Sequence, residues 1–301
     1  MYSIIIKMVL KTLIINSSNY VNGSNNMYKY TFPVNGGVKF TKNSKIGLSQ
    51  IAIFNSSFNI SSTLNNNTFS IVWYANYGSG ITSQTFNITI PDGYYSNSDL
   101  NYYLQSQMIA NKLYLINSSG QYVYFISIEQ NTTKYALQVN IGVLPTTTTI
   151  TSLGYTYPVS CPWAVQSTTK CPQLIISSGL QTFFGILSRN SFPLSSELAG
   201  ITSNVSYVSD TCPIVNPINS YILTCNLVSS YFSIPDNIFY SVPLTSGFGS
   251  LITINNSSII YNSIREGIYN NITIQLYDQN LATLQFVDKE IVLILSIDID
   301  E

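Results

Sequence analysis

From residue 9 to residue 299 the chain repeats one pattern: runs rich in Val, Ile, Leu, Thr, Tyr and Phe, each closed off by Asn, Gly, Ser or Pro. β-Branched and aromatic side chains suit a pleated, half-buried surface and the bounding residues suit turns, so the pattern predicts many strands and few helices. In the first third, strands are expected at VLKTLII (9–15), MYKYTF (27–32), KIGLSQIAIF (45–54), FSIVWYA (69–75) and QTFNITI (84–90). In the last of these Phe86, Ile88 and Ile90 alternate with Thr85, Asn87 and Thr89, which gives one apolar and one polar face.

The middle of the chain changes character. Pro91-Asp92-Gly93 ends the strand, and Ser96 with Asp99 has the spacing of a capping box for a helix running to about residue 110. Leu100, Tyr103, Leu104 and Met108 fall on one side of that helix. The strands YVYFISIE (122–129) and KYALQVNI (134–141) then form a hairpin through Gln130-Asn131-Thr132-Thr133. A Thr/Pro/Ser-rich loop occupies residues 145–172, and a second short helix is expected at GLQTFFGIL (179–187), with Leu180, Phe183, Phe184 and Leu187 as its apolar face.

Strands return at INSYILTCNLV (218–228), NIFYSVPL (237–244), SLITIN (250–255), NITIQLYD (271–278) and KEIVLILSIDI (289–299). The final strand carries Ile291, Leu293, Leu295 and Ile297 on one face and Val292 and Ile294 on the other, so it should be central in its sheet. A strand set split by a helix-containing middle argues for an all-β protein: a single jelly roll of two facing antiparallel sheets, carrying an insertion with strands and one or two short helices.

Charged residues make up only 8% of the chain against 45% hydrophobic, and the net charge is −1. Self-repulsion is therefore weak, and a surface of neutral hydroxyls and amides favours packing of identical copies. Residues 1–91 hold six Lys and no Asp or Glu, so the remainder carries −7, ending in Asp298, Asp300 and Glu301. These ends read either as solvated or as meeting a neighbour, and six Lys over 91 residues are too thin for a specific nucleic-acid surface. Lys7 and Lys11 interrupt the apolar N-terminus well short of the roughly 20 residues a membrane span needs, so residues 9–15 are expected to be a strand and not an anchor or signal. Without secretion, the sequons at Asn16, Asn22, Asn55, Asn87 and Asn271 carry no glycan.

With no His in the chain, the usual triads and most catalytic metal sites are absent. Asp92, Asp99, Asp236, Asp278 and Asp288 sit beside turn-forming residues, where a capping or turn role accounts for them. Cys161, Cys171, Cys212 and Cys225 have no CxxC pairing, so neither a metal nor a cofactor is expected, and buried free thiols are favoured over a Cys161–Cys171 disulfide. Trp73, Trp163 and the 23 Tyr serve either a core or an interface, or a sugar-stacking surface.

Several collinear stretches resemble the penton proteins of virophages and the related polinton-like viruses, Mavirus-type virophages in particular. LIINSSNYVNGSNNMYKYTFPVNGGVKFTKNSKIGLSQIAIFNSSFNI (13–60) resembles their first strands, with the Asn16-Ser17-Ser18-Asn19 turn, the Phe32-Pro33 stop and the aliphatic Ile46–Ile53 strand in order. IPDGYYSNSDLNYYLQ (90–105) is similar to their strand-to-helix junction, and GLQTFFGIL (179–187), NSYILTCNLVSS (219–230) and NNITIQLYDQNLATLQFVDKEIVLILSI (270–297) to their inner helix and final strands. The resemblance is weakest across 142–175.

That resemblance implies a capsid domain made of residues 1–90 and 213–301, with residues 91–212 inserted as an outward-facing β-domain. It implies no enzyme but a homopentamer at the fivefold vertices of an icosahedral double-stranded DNA virus, assembled in the host cytoplasm. Its neighbours would be a double-jelly-roll major capsid protein and a minor capsid protein, and the insertion would be available to a host surface. Loops bearing Tyr77, Tyr94, Tyr95 and Tyr155 are expected to supply ring flanks or the exposed tip. Two other readings stay open: a minor capsid protein of the same viruses, and a secreted carbohydrate-binding or adhesion β-domain.

Overall fold

The computed structural model describes residues 8–24 and 26–300; Lys7 of the N-terminal segment and Glu301 of the acidic end lie outside them. The chain opens with β1 Met8–Asn16, β2 Met27–Thr31, β3 Val38–Phe40 and β4 Lys45–Phe54. A middle stretch holds β5 Thr68–Trp73, β6 Gln84–Thr89, α1 Asn97–Ala110, β7 Leu115–Ile116, β8 Tyr122–Val123, β9 Ile126–Asn131, β10 Ala136–Ile141, β11 Gln173–Ile176, α2 Ser178–Phe184, β12 Ser191–Phe192 and β13 Val205–Val208. It closes with β14 Ser220–Cys225, β15 Ile238–Pro243, β16 Leu251–Asn255, β17 Tyr261–Ser263, β18 Gly267–Tyr269, β19 Asn271–Tyr277 and β20 Ile291–Asp300.

One compact unit comprises the residues up to Phe58 and those from Ile218 on. Its two main sheets have the orders β1-β20-β4-β16 and β15-β14-β19-β2, all antiparallel. Taking its eight principal strands in sequence, the first pairs with the last, the second with the seventh, the third with the sixth and the fourth with the fifth. This nested pairing is the jelly roll. The sheets face each other across one core, with Ile15, Ile51, Leu293 and Leu295 from one and Tyr28, Tyr221, Leu223, Ile274 and Leu276 from the other. Truncating one of these buried aliphatics to Ala costs about 2–5 kcal/mol.

β20 lies between β1 and β4, the central place its pattern indicates. Ile291, Leu293, Leu295 and Ile297 are buried, but on the other face Val292 is 39% exposed and Ile294 only half-buried. Double-sided apolarity here therefore marks a face left open at its Val292 end, while further along the same face Ser296 is buried and Ile259 packs over Gly47 opposite it. An extra residue on β4, Ser49, opposes the Ile294–Leu295 step of β20, and its hydroxyl meets that of Ser296 at 2.6 Å.

The second unit is Asn59–Pro217, so the insertion begins some thirty residues before the expected boundary at 91 and ends at 217 instead of 212. The reason is pairing: β5 joins β6 on one side and β11 on the other, giving the sheet β12-β11-β5-β6. FSIVWYA and QTFNITI thus lend Ile71, Trp73, Ile88 and Ile90 to the insertion's core. Strand periodicity does not say which core a strand joins.

A second sheet has the order β13-β10-β9, and β7 pairs β8. The expected strand over 122–129 is split, because Tyr122 and Val123 pair with β7 while the ladder to β10 begins at Ile126. α1 starts in the expected capping box: Ser96 Oγ accepts from the Asp99 N–H, and Asp99 Oδ2 accepts from the Ser96 N–H at 2.9 Å. Leu100, Leu104 and Met108 are buried as their spacing requires, with Tyr103 half-buried. α2 stops at Phe184, three residues early, because Gly185 adopts a left-handed φ of 70° as its cap. Leu187 consequently leaves the apolar face and is exposed.

Candidate functional site

The carboxylates take turn and capping roles. Asp92 accepts from the Ser62 N–H at 2.9 Å, Asp278 from the N–H groups of Asn280 and Ala282, and Asp288 from that of Glu290, while Asp236 pairs with Arg265. Among the described residues no three His, Cys, Asp or Glu side chains come together to hold a metal. All four cysteines carry free thiols. Burial pushes Cys225 up to about 12 and Cys171 to about 11, which keeps both protonated and unreactive.

The four tyrosines singled out in the sequence all lie in the insertion, each engaged differently. The Tyr94 hydroxyl donates to Asn216 Oδ1 at 2.8 Å, and that of Tyr95 to the Pro91 carbonyl at 2.9 Å. Asn59 pins the Tyr95 backbone, accepting from its N–H and donating to its carbonyl, both at 2.8 Å. Tyr77 packs half-buried against the core, its hydroxyl buried with no hydrogen-bond partner and its pKa raised by burial. Tyr155 is half-buried and lines an open cleft.

The largest surface anomaly lies elsewhere, in the loop between β14 and β15. There Tyr231, Phe232 and Ile234 are 98%, 101% and 95% exposed. The loop is closed at its neck, where the Ser230 N–H donates to the Asp236 carbonyl at 2.8 Å. Asp236 Oδ2 meets Arg265 Nη2 at 2.6 Å, and the Ser229 N–H donates to the Ser263 carbonyl. The base is thus ordered by polar contacts while the tip holds three large apolar groups in water, forming a finger. The signal for it was present: an apolar Tyr-Phe-x-Ile-Pro run bounded by Ser230 and Asp236, in a stretch no strand claims.

The partly open face of the β1-β20-β4-β16 sheet is a second apolar surface. Ile14 stands opposite Ile294, and Leu251 opposite Phe54, with Leu10, Ile14 and Leu251 exposed. β1 is also the sheet's edge strand. Exposed apolar side chains on one sheet face are area that contact with another molecule could cover.

The class these features define is a jelly-roll protein with a large insertion between its third and fourth principal strands and uncovered apolar surfaces on the jelly roll. Among solved structures the chain is similar to the crystal structure of selenomethionine-labelled mavirus penton protein, with a TM-score of 0.43 and 9% identity, over 98% of this chain and 99% of that one. No family model matches the chain, and no curated protein matches it.

Proposed function

We propose that this chain is a structural capsid subunit that closes into a homopentamer at the fivefold vertices of an icosahedral virus particle and does not act as an enzyme. The observation that carries the reading is the finger. Side chains as apolar as Tyr231, Phe232 and Ile234 stay fully solvated on an ordered loop only at a free-energy cost, which contact with another subunit removes. A ring contact is heterologous, so one patch must meet a different patch on the next copy. The finger and the partly open sheet face are two such patches on one jelly roll. Phe and Tyr each bring roughly 150–250 Å² to a contact. The finger therefore supplies on the order of half of the roughly 800 Å² per partner that a specific interface buries.

Low net charge and the collinear sequence resemblance to virophage pentons support the same reading. Under it, the loops bearing Tyr77, Tyr94, Tyr95 and Tyr155 contribute flank or tip contacts. The vertex neighbours are a double-jelly-roll major capsid protein and a minor capsid protein, the particle is built in the host cytoplasm, and the insertion is offered to the host surface. Native mass measurement of the purified chain, paired with negative-stain imaging, tests it. Five copies in a closed ring are expected; a monomer at every concentration, or a fixed dimer, overturns it.

A further inference from the structure

The insertion holds an open cleft of about 410 Å³, within the roughly 300–1,000 Å³ range of small-molecule sites. Its walls come from the link between β8 and β9, the end of β10 and the turn that follows. The Gly142 N–H donates to the Phe125 carbonyl at 2.8 Å, the Leu144 N–H to the Lys170 carbonyl at 2.7 Å and the Val143 N–H to Asn204 Oδ1 at 3.0 Å, so the floor is tied at successive residues. Thr146 and Thr149 fold the adjoining turn through hydroxyls 3.1 Å apart. At Gly142 a Cβ would stand 3.2 Å from the Phe125 ring, so the floor is flush with that ring.

Three properties of the lining narrow the ligand. Tyr124, Phe125 and Tyr155 supply aromatic surface. Among the described residues no Asp, Glu, Lys or Arg lines the cleft. The hydroxyls of Tyr124, Tyr155, Thr169 and Thr202 and the Asn204 Nδ2 group have no hydrogen-bond partner among the described residues. A lipid would waste those polar groups, and an anionic ligand would find no cation. A sugar ring without charge matches both demands, offering an apolar C–H face to aromatic rings and hydroxyls to neutral donors and acceptors.

We infer that this cleft binds a neutral saccharide, as the terminal residue of a glycan. The inference does not depend on the capsid reading: a ring that retains no glycan defeats it alone, and a glycan-binding monomer defeats only the other. The test is a panel of immobilised glycans ending in neutral hexoses, deoxyhexoses or N-acetylhexosamines, with sialylated and sulfated glycans alongside, probed with the full chain. At least one neutral glycan should be retained, equally at low and high salt. Thr202→Trp, at an exposed rim position, should weaken retention about tenfold, the equivalent of roughly 1.4 kcal/mol, with an unchanged thermal midpoint. Tyr155→Ala should weaken it as well. Retention of no neutral glycan, retention confined to sialylated or sulfated glycans, or wild-type retention by Thr202→Trp overturns the inference.

Discussion

Asp236 Oδ2 lies 2.6 Å from Arg265 Nη2, and this exposed ion pair closes the neck of the loop that carries Tyr231, Phe232 and Ile234 into solvent. An exposed pair of this kind contributes at most about 1 kcal/mol to folding. Its effect on assembly can be larger, because it limits the freedom of a loop that contact with a partner must immobilise.

Replacing Tyr231, Phe232 and Ile234 together with Ser should leave unfolding free energy within about 0.5 kcal/mol of wild type, since none of the three is buried. The same variant should lose self-association by about tenfold or more in sedimentation velocity. Unchanged association would remove the finger from the interface. Arg265→Ala should fall between the two.

Acid should weaken the insertion. The carboxyl of Glu197 is held below its ordinary 4.5 chiefly by the Leu194 N–H, with Arg189 and Tyr207 adding to it. Asp99 is held below its ordinary 3.8 by Ser96, and Asp210 below the same value by the N–H and hydroxyl of Ser188 and the N–H of Leu187. A depressed folded-state pKa gives stability that is complete above the unfolded value and is lost as pH falls through the folded one. The loss should therefore begin near pH 4.5 and deepen on further acidification. Glu197→Gln should cost about 1 kcal/mol at neutral pH and flatten part of this dependence in chemical denaturation followed against pH.

Thiol reagents should sort the cysteines by burial. Cys212 is exposed and should be modified first in the native protein, whereas Cys225, buried and pushed up to about 12, should react only after unfolding. Mass mapping after brief treatment at mildly alkaline pH reads the order; early modification of Cys225 would show the β14 core to be open.

Gly185→Ala should destabilise the insertion by about 1–2 kcal/mol. The residue has φ 70°, which penalises any side chain, and a Cβ there would stand 2.5 Å from the Thr211 carbonyl oxygen. Gly200→Ala, with nothing within 4 Å of the added carbon and no left-handed φ, serves as the control and should be nearly neutral. Equal thermal midpoints for the two would contradict this account.

Local chemistry was legible where neighbours in sequence determine it. Period-two alternation placed Ile88 and Ile90 inward, the Ser96–Asp99 spacing marked the start of α1, and the turn residues beside Asp92, Asp278 and Asp288 announced their hydrogen bonds. The aliphatic pattern of residues 291–297 likewise indicated a central strand, and β20 does lie between β1 and β4, although its second apolar face is not packed as such a run would suggest. Tertiary structure alone decided which core β5 and β6 belong to, which face of β20 stays partly open, and that Tyr231, Phe232 and Ile234 stand in water. The cleft beside Tyr155 likewise exists only once residues 123–125, 142–155 and 202–204 meet. Periodicity reports that a side chain has an apolar side, while the partner that covers it is chosen by contacts between segments far apart in the chain.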